Sequence, residues 1–235
     1  MAAIRGWRRY TRERAEFRGI AGAKTMPWGT ELPMLTEWDE TAGTVGAYFL
    51  QDQLVARWIH QANPRRHVDV GSRIDGFIGS LSVFREVDVI DIRPQPQPIP
   101  NVRFHQIDMM GELPEKWIGC TDSLSCLHTI EHFGLGRYGD PIDPEGHEKG
   151  LRQLMRFVEP GGMLYLSTPV GPERIEFNAH RVFSPETLIG WFADEWSIER
   201  AAVIDDGNRL VEGVAELRGF NGNLGVGIVA MRRRR

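Results

Sequence analysis

The sequence predicts an α/β fold in which a mostly parallel β-sheet is covered by helices on both faces. Seven short apolar runs are spaced along the chain, separated by helical or turn-rich segments. Strands that alternate with connecting helices form parallel sheets, and both faces of such sheets are buried. The seven runs are HVDV (67–70), VDVID (87–91), VRFHQID (102–108), SLSCLH (123–128), MLYLSTP (163–169), SIERAAVI (197–204) and VGIVAM (226–231).

The chain begins with an extension, residues 1–43, that shows no sustained hydrophobic period. It is basic and contains several glycines, and we expect it to pack on the main domain as a cap. An aromatic extension of this kind could pair across a two-fold axis, so a homodimer stays open. Its aromatic residues include Trp7, Tyr10, Phe17, Trp28 and Trp38.

Residues 44–235 are expected to form one domain. A chain of 235 residues with 41% hydrophobic residues can bury one substantial core, so a second domain is not needed. The first helix of the domain is predicted within 44–62, where apolar residues recur at nearly helical spacing. The pair Asn63-Pro64 supplies the stop signal for this helix.

The later helices are marked by their ends. The segment 151–158 carries leucine, methionine and valine on one face and stops at the break 159–162, after which a strand follows. Ser184 as N-cap and Pro185 in the first turn predict the start of another helix. The alternating prolines of 93–100 predict an extended segment after the second strand.

Composition and charge exclude several functional classes. The net charge of −4 gives no field that would attract nucleic acid or an anionic membrane, so the expected partner is a small molecule. No stretch approaches the roughly 20 apolar residues of a membrane span, and the N-terminus lacks the apolar region of a signal peptide. We therefore expect a cytoplasmic protein. Cys120 and Cys126 form no C-x-x-C pair, so both thiols are read as structural.

Candidate ligand-binding residues stand where the first three strands end. Gly71 follows the first strand and lets backbone approach a ligand closely. Asp91 ends the second strand, where a carboxylate can accept two hydrogen bonds from a ribose diol, and Asp108 ends the third, beside a base edge. An adenosine-containing cofactor fits all three positions. A plain strand-to-helix turn, or the site of a nicotinamide-dependent oxidoreductase, stays open as an alternative.

The order of these signals resembles the class I S-adenosylmethionine-dependent methyltransferases over roughly residues 65–200. The further signals are "EH" after the fourth strand and "PGG" before the fifth. The resemblance implies a Rossmann-like class I methyltransferase fold with a seven-stranded sheet, and S-adenosylmethionine as cofactor. It implies that the cofactor contacts Asp69, Gly71, Ser72, Arg73, Asp91, Ile92, Asp108, Leu127 and His128, with Cys126 beside its methionine part.

One departure from the family pattern concerns the glycine turn. The usual G-x-G is Gly71-Ser72-Arg73 here, so an arginine replaces a glycine. Arg73 either pairs with the carboxylate of the cofactor or obstructs cofactor binding. The second possibility motivates an alternative function, a non-catalytic binding or scaffold protein that keeps the fold.

Three longer blocks are similar to the domain-of-unknown-function 268 family, which is assigned to the same superfamily. They are HVDVGSRIDG (67–76), EHFGLGRYGDPIDP (131–144), which carries the signature EHxGLGRYGD, and FNAHRVFSP (177–185). Relatives of this family are associated with surface-glycan and other secondary pathways. The resemblance therefore implies a sugar-like hydroxyl as the methyl acceptor.

The stretch LHTIEHFG (127–134) contains the H-x-x-E-H pattern of inverzincin proteases. Such a protease needs this pattern on one continuous helix, whereas here a strand-like run precedes it and glycines follow it. In small-RNA 2′-O-methyltransferases and ubiquinone-pathway O-methyltransferases, a similar E-x-x-E-H binds a divalent metal. That resemblance implies a metal held by His128, Glu131, His132 and His180. The alternative is a hydrogen-bonded histidine and glutamate without metal.

Methyl transfer to oxygen also needs a base. His132 and His180 are the candidate general bases, because the pKa of histidine suits proton removal, and Glu131 could orient either one. The glycine-rich loop 134–150 is read as a lid or substrate clamp, with Arg137, Tyr138 and Asp140 as substrate contacts. The expected function is O-methylation of a small molecule.

Overall fold

The computed structural model describes residues 2–36, 45–192 and 195–235, and the chain divides into two compact units, 1–44 and 45–235. In the first unit, α1 (Ala2–Gly19) and a 3₁₀ turn (Ala21–Lys24) precede an extended segment. Tyr10, Arg14 and Arg18 of α1 all contact the Glu31 carboxylate. Trp38 and the predicted boundary at 43 and 44 lie outside the described residues.

The second unit follows the element order that the sequence predicts, with additions. Its helices are α2 (Ala47–Ala62), α3 (Gly79–Ser82), α4 (Gly146–Phe157), α5 (Pro185–Gly190) and α6 (Val214–Arg218). Its strands are β1 (Val68–Val70), β2 (Val87–Asp91), β3 (Val102–Gln106), β4 (Thr121–Leu127), β5 (Val158–Val170), β6 (Arg174–Glu176), β7 (His180–Val182), β8 (Trp196–Ile204), β9 (Leu210–Glu212) and β10 (Gly225–Arg233).

The main sheet has the strand order β3-β2-β1-β4-β5-β10-β8-β9. The first five strands in this order are mutually parallel, whereas β10 pairs antiparallel with both β5 and β8. The strand order reverses between β1 and β4, so the carboxyl ends of β1, β2 and β4 border the point at which a parallel sheet binds its ligands.

The main sheet has eight strands in the described part of the chain, so the expectation of seven was one strand short. The additional strand is β9, which turns back from β8 and pairs antiparallel with its last residues. β6 and β7 form a separate two-stranded hairpin that the sequence did not indicate. Each of these strands is three residues long, too short to show an apolar alternation.

Two buried clusters show that helices cover both faces of the sheet, as predicted. One cluster contains Leu154 of α4, Leu188 of α5 and Leu217 of α6, and the other contains Leu54 of α2 and Leu81 of α3. Side chains of a strand alternate between the faces. The alternation is visible in β5, where Leu164 and Leu166 belong to the first cluster and Tyr165 to the second.

The predicted ends of the helices agree with the structure in most places. α5 starts as predicted, because the Ser184 hydroxyl accepts a hydrogen bond from the Thr187 amide at 3.0 Å. The proline-rich segment 93–100 contains no helix. The break at 159–162 differs from the prediction, because these residues belong to β5 and form an irregular register opposite Thr121 and Ser123 of β4.

No helix in the described ranges has the length and apolarity needed to cross a membrane.

A buried histidine at the start of β1 links fold stability to pH. The His67 ring is buried and contacts the hydroxyls of Ser123 at 2.7 Å and Ser125 at 3.0 Å. Burial lowers the pKa of His67 to about 3. Between pH of roughly 6.5 and 3, an unfolded chain therefore binds a proton at this residue that the folded chain excludes.

We predict that His67→Gln removes this acid sensitivity. The free energy of unfolding of the original protein should fall relative to that of the variant as the pH drops below about 6.5, because only the original takes up this proton on unfolding. Urea titrations of both proteins between pH 5 and 8 measure the difference. The opposing effect of Asp69, whose folded pKa is raised to about 7 by burial, is present in both proteins. A difference that stays constant with pH would contradict the prediction.

Candidate functional site

A cavity of about 600 Å³ lies at the carboxyl ends of β1 to β4. Ten of the residues predicted from the sequence line it: Gly71, Ser72, Arg73, Asp91, Ile92, Asp108, His128, His132, Tyr138 and Asp140. Asp69, Leu127, Glu131, Arg137 and His180 are not among the lining residues. The remainder of the wall is largely apolar, with Phe104, Ile107, Met109 and Met110 on the side of β3.

The turn after β1 passes close to the turn after β4. Gly71 has a φ of +71°, which glycine adopts without strain, and its amide donates to the Ile90 carbonyl at 2.8 Å. A Cβ atom at this position would overlap the side chain of Thr129. The turn then continues into a π-helical segment, Ile74–Ile78, and α3. Glycine at this position therefore lets the turn after β1 pack directly against the turn after β4, and its backbone lines the cavity.

Asp69 lies beneath this turn and is buried. Its carboxylate accepts hydrogen bonds from the Ser72 amide at 3.0 Å, the Ser72 hydroxyl at 2.7 Å and the Ser125 hydroxyl at 2.5 Å. Burial outweighs these hydrogen bonds and raises the pKa of Asp69 to about 7. The Ser72 hydroxyl also accepts from the Leu127 amide at 3.1 Å. Asp69 and Leu127 therefore shape the cavity from behind its wall.

The carboxylate that ends β2 is engaged by an arginine. Asp91 accepts from the backbone amide of Arg93 at 2.8 Å and from its guanidinium at 3.0 and 2.7 Å. The same guanidinium lies over the ring of Tyr138, 4.5 Å from its centroid. Asp108, at the end of the next strand, accepts from the Met110 amide at 2.8 Å. A ribose diol at Asp91 would have to replace the Arg93 guanidinium.

The H-x-x-E-H segment forms a tight turn after β4 rather than a long helix. His128 has a φ of +50°, and a single 3₁₀ turn, Ile130–His132, follows it. The Glu131 carboxylate is fully buried between the two histidines, 2.9 Å from Nδ1 of His128 and 3.8 Å from Nε2 of His132. Its Oε2 atom has no hydrogen-bond partner among the residues that the structure describes. This geometry agrees with the rejection of the protease helix.

His132 is oriented by a backbone carbonyl. Its Nδ1 atom lies 2.6 Å from the Ala179 carbonyl oxygen, an acceptor, so Nδ1 carries the hydrogen and Nε2 is the basic atom. Burial lowers the pKa of His132, and the Glu131 carboxylate opposes this shift. The ring of Tyr138 packs edge-on against the His132 ring, with 5.2 Å between the two ring centroids. His132 is thus a neutral imidazole on the cavity wall at pH 7.

The structure does not bring His180 together with the other three residues of the predicted metal set. His180 starts β7, and its Nε2 lies 3.0 Å from Glu176 at the end of β6. Within residues 2–36, 45–192 and 195–235, no group of three or more histidine, cysteine, aspartate or glutamate side chains is placed to hold a metal ion. The donor arrangement does not fit the metal site that the resemblance implies.

The loop after the histidine turn is ordered by Asp140. Its carboxylate accepts from the amides of Gly134 at 2.8 Å, Gly136 at 3.1 Å and Tyr138 at 3.2 Å. The carboxylate thus holds the loop that presents Tyr138 to the cavity. Asp140 also lines the cavity, and its predicted contact with a substrate stays a prediction.

Arg181 is a site residue that the sequence reasoning missed. It lies in β7, is 4% exposed, and donates to the carbonyls of Phe133 at 2.6 Å, Pro144 at 3.1 Å and Glu131 at 3.3 Å. Burial lowers the pKa of its guanidinium. One buried arginine therefore fastens both the histidine turn and the end of the glycine-rich loop. The only sequence signal was its place within the block 177–185.

The helix α2 closes the cavity from the opposite side. Tyr48 lines the cavity, and its ring lies 4.9 Å from that of His128. Gln51 lies behind it and accepts from the Ser167 hydroxyl at 2.6 Å, which in turn accepts from the His128 amide at 3.1 Å. Asp52 is buried next to Gln51, and burial raises its pKa. Gln51 thus supports the His128 backbone.

Two glycines of the loop provide a matched test of its geometry. Gly134 and Gly139 both have positive φ, at +78° and +86°. A Cβ at Gly134 would overlap the Asp143 carbonyl oxygen, whereas a Cβ at Gly139 meets no atom within 4 Å. We predict that Gly139→Ala costs only the backbone strain, about 1 kcal/mol, and that Gly134→Ala costs clearly more. Thermal unfolding measures both variants, and equal losses would contradict the prediction.

Comparisons with known proteins bear on this geometry. The model of a family described as "Caenorhabditis protein of unknown function, DUF268" matches residues 102–194, which is less than half of the chain. The blocks 131–144 and 177–185 lie within the matched range, and the block 67–76 lies outside it. No curated protein sequence gives a significant match.

Several solved structures share the fold. The chain is similar to 1,6-didemethyltoxoflavin-N1-methyltransferase of Burkholderia thailandensis with bound S-adenosylhomocysteine, at a TM-score of 0.56 and 16% identity over 80% of each chain. It is similar to the N-methyltransferase NodS of Bradyrhizobium japonicum in complex with S-adenosylhomocysteine. This match has a TM-score of 0.54 and 12% identity, and it covers 79% of this chain and 86% of that one. The [4+2]-cyclase SpnF matches with a TM-score of 0.54 and 14% identity, over 78% of this chain and 81% of that one. These similarities confirm the predicted Rossmann-like fold of the class I methyltransferases.

Proposed function

We propose that the protein is an S-adenosylmethionine-dependent methyltransferase that methylates a hydroxyl group of a small molecule. The observation that carries the proposal is one cavity lined both by the strand-end residues Gly71, Asp91 and Asp108 and by His132, whose basic atom is Nε2. The fold of the solved methyltransferase structures supports it.

The residues at the ends of β1, β2 and β3 fit the cofactor. Gly71 lines the cavity where its backbone can approach the methionine part, and Asp91 offers a carboxylate for the ribose hydroxyls. The apolar side chains around Phe104 and Met109 suit the adenine ring. More aspartates than arginines line the cavity, which favours a cationic ligand. When bound, S-adenosylmethionine supplies an electrophilic methyl carbon, which joins the acceptor oxygen while the carbon–sulfur electron pair stays on sulfur.

His132 would remove the acceptor proton. The Ala179 carbonyl fixes the tautomer, so Nε2 can accept the hydroxyl proton as the new oxygen–carbon bond forms. The resulting imidazolium would lie 3.8 Å from the buried Glu131 carboxylate, which stabilises its charge. The step needs one base, and we assign it to His132 because the Nε2 atom of His180 lies 3.0 Å from Glu176. Because the described residues provide no group of donors placed to hold a metal, the proposed step uses none.

The acceptor side of the cavity combines helix α2 with the glycine-rich loop. Tyr48 and Tyr138 lie on its wall, and Arg137 lies next to Tyr138. We place the acceptor between these rings and His132, where Arg137 and Tyr138 can contact it. A sugar-like hydroxyl is compatible with this placement, since aromatic walls pack against sugar rings.

A second candidate function is a binding protein or a non-methylating enzyme on the same fold. The Arg93 guanidinium that covers Asp91 favours it, because this contact competes with a ribose diol. The similarity to the [4+2]-cyclase SpnF also favours it. Transfer of a methyl group from S-adenosylmethionine to any acceptor would exclude a protein without turnover.

We predict that S-adenosylhomocysteine binds in the cavity and that Asp91→Ala weakens binding about tenfold or more. The variant loses charge-assisted hydrogen bonds to the ribose, and each such bond contributes more than about 1.4 kcal/mol. Isothermal titration calorimetry measures both dissociation constants. The matched control is Glu199→Ala, which removes an exposed carboxylate paired with Arg232 on the antiparallel side of the sheet. No heat at millimolar ligand, or equal affinity in Asp91→Ala, would refute the cofactor assignment.

We predict that Glu131→Gln lowers the pKa of His132 further. The Glu131 charge raises this pKa against the effect of burial, so its removal favours the neutral imidazole. A histidine NMR titration measures the shift without any acceptor, with Glu199→Gln as the control. With an acceptor, the acid limb of kcat/KM should move to lower pH, because the rate is lost only when His132 becomes protonated. An unchanged His132 titration would remove Glu131 from this role.

A further inference from the structure

Two tyrosines flank the acceptor side of the cavity, and each packs on a histidine of the H-x-x-E-H turn. Tyr48 lies against His128, and Tyr138 against His132. Arginines lie over both tyrosine rings. The guanidinium carbon of Arg73 is 5.2 Å from the ring centroid of Tyr48. Those of Arg93 and Arg137 are 4.5 and 5.2 Å from the ring centroid of Tyr138. The mouth of the cavity is therefore built from aromatic rings and guanidinium groups.

The three arginines differ in how their charges are balanced. Arg73 is paired with Asp75 at 2.9 Å, and Arg93 with Asp91 at 2.7 Å. Arg137 has no carboxylate partner in the part of the chain that the structure describes. Its only hydrogen bond there runs from Nη1 to the Ala179 carbonyl at 3.2 Å. An exposed guanidinium with its remaining N–H groups unused can bind an anionic group of a ligand.

Arg137 and His132 are held by the same atom. The Ala179 carbonyl oxygen accepts from Nδ1 of His132 at 2.6 Å and from Nη1 of Arg137 at 3.2 Å. The imidazole and the guanidinium must therefore lie side by side. A ligand whose anionic group contacts Arg137 places atoms only a few bonds away from that group beside His132.

We propose that the acceptor is a small hydroxy-carboxylic acid, whose carboxylate binds Arg137 and whose neighbouring hydroxyl faces Nε2 of His132. This inference rests on the proposed methyltransferase function and names its substrate class. Arg137 is then a specificity-determining residue, because it selects the charge of the acceptor and fixes the distance of the reacting oxygen from the base.

The charges around the site favour a single carboxylate over a phosphate. Once Nη1 is bound to Ala179, the free edge of the Arg137 guanidinium offers Nε and Nη2, which match the two oxygens of a carboxylate. The other two arginines are neutralised by their aspartates, and Asp108 and Asp140 also line the cavity. A dianion would lack a second unpaired cation here.

The test uses the full chain saturated with S-adenosylhomocysteine and three pairs of probes. Each pair joins a hydroxy acid to an uncharged counterpart: 2-hydroxybenzoate and 2-hydroxybenzamide, glucuronate and glucose, lactate and lactamide. Ligand-observed NMR titrations measure the dissociation constants. We expect at least one acid to bind about tenfold more tightly than its counterpart, the effect of one charge-assisted contact.

Variants assign this preference to Arg137. Arg137→Gln should reduce the ratio of the two affinities to near one, and Arg137→Lys should retain part of it. The control Arg174→Gln, at a half-buried arginine of the neighbouring hairpin paired with Glu176, should leave the ratio unchanged. Binding of S-adenosylhomocysteine should persist in all three variants.

Four outcomes would overturn the inference. They are no preference for any acid, a preference that survives Arg137→Gln, tighter binding of 2-hydroxyphenyl phosphate than of 2-hydroxybenzoate, and formation of a methyl ester instead of an ether when S-adenosylmethionine is supplied. Each of these leaves cofactor binding intact and affects the inference alone. Failure of S-adenosylhomocysteine to bind the original protein would instead refute the proposed function.

Discussion

The buried carboxylate of Asp69 is the interaction on which the site depends. It joins Ser72, in the turn after β1, to Ser125 within β4, and the Ser72 hydroxyl extends the connection to the Leu127 amide. These bonds hold the ends of two parallel strands together without access to water. Because Gly71 and His128 follow directly from those strands, the glycine turn and the histidine turn share one rigid base. Gly71 packs directly against Thr129, and a side chain at position 71 would overlap the Thr129 side chain.

A second buried charge fixes the other side of the cavity. In the described part of the chain, Arg181 donates to backbone carbonyls and to no side chain, so it fastens the histidine turn and the glycine-rich loop whatever their side chains are. Different elements therefore supply the two sides of the cavity. Residues at the ends of β1 to β3 line one side of the cavity, whereas Tyr48 of α2 and loop residues held by Arg181 and Asp140 line the other. Loops carried by a rigid sheet can vary in sequence, and so in the molecule they contact, without disturbing the residues at the strand ends.

The main elements could be predicted because their signals are local. β2 matches the predicted run 87–91, and α5 begins after Ser184 as its N-cap requires. The short strands β6, β7 and β9 could not be predicted, because three residues carry no measurable alternation and form a strand only beside a partner. The break at 159–162 lies within β5 as an irregularity, because β4 pairs with Val158 before it and with Met163 after it.

The sequence by itself determined the α/β fold, the strand ends at Gly71, Asp91 and Asp108, and the rejection of a long H-x-x-E-H helix, because each follows from neighbouring residues. Only the tertiary structure decided which side chains meet. It paired His180 with Glu176, placed Arg93 on Asp91, and joined His132 and Arg137 through the Ala179 carbonyl. The last of these joins residues more than forty positions apart, and its geometry depends on how the β6–β7 hairpin packs against the turn after β4, which no local pattern encodes.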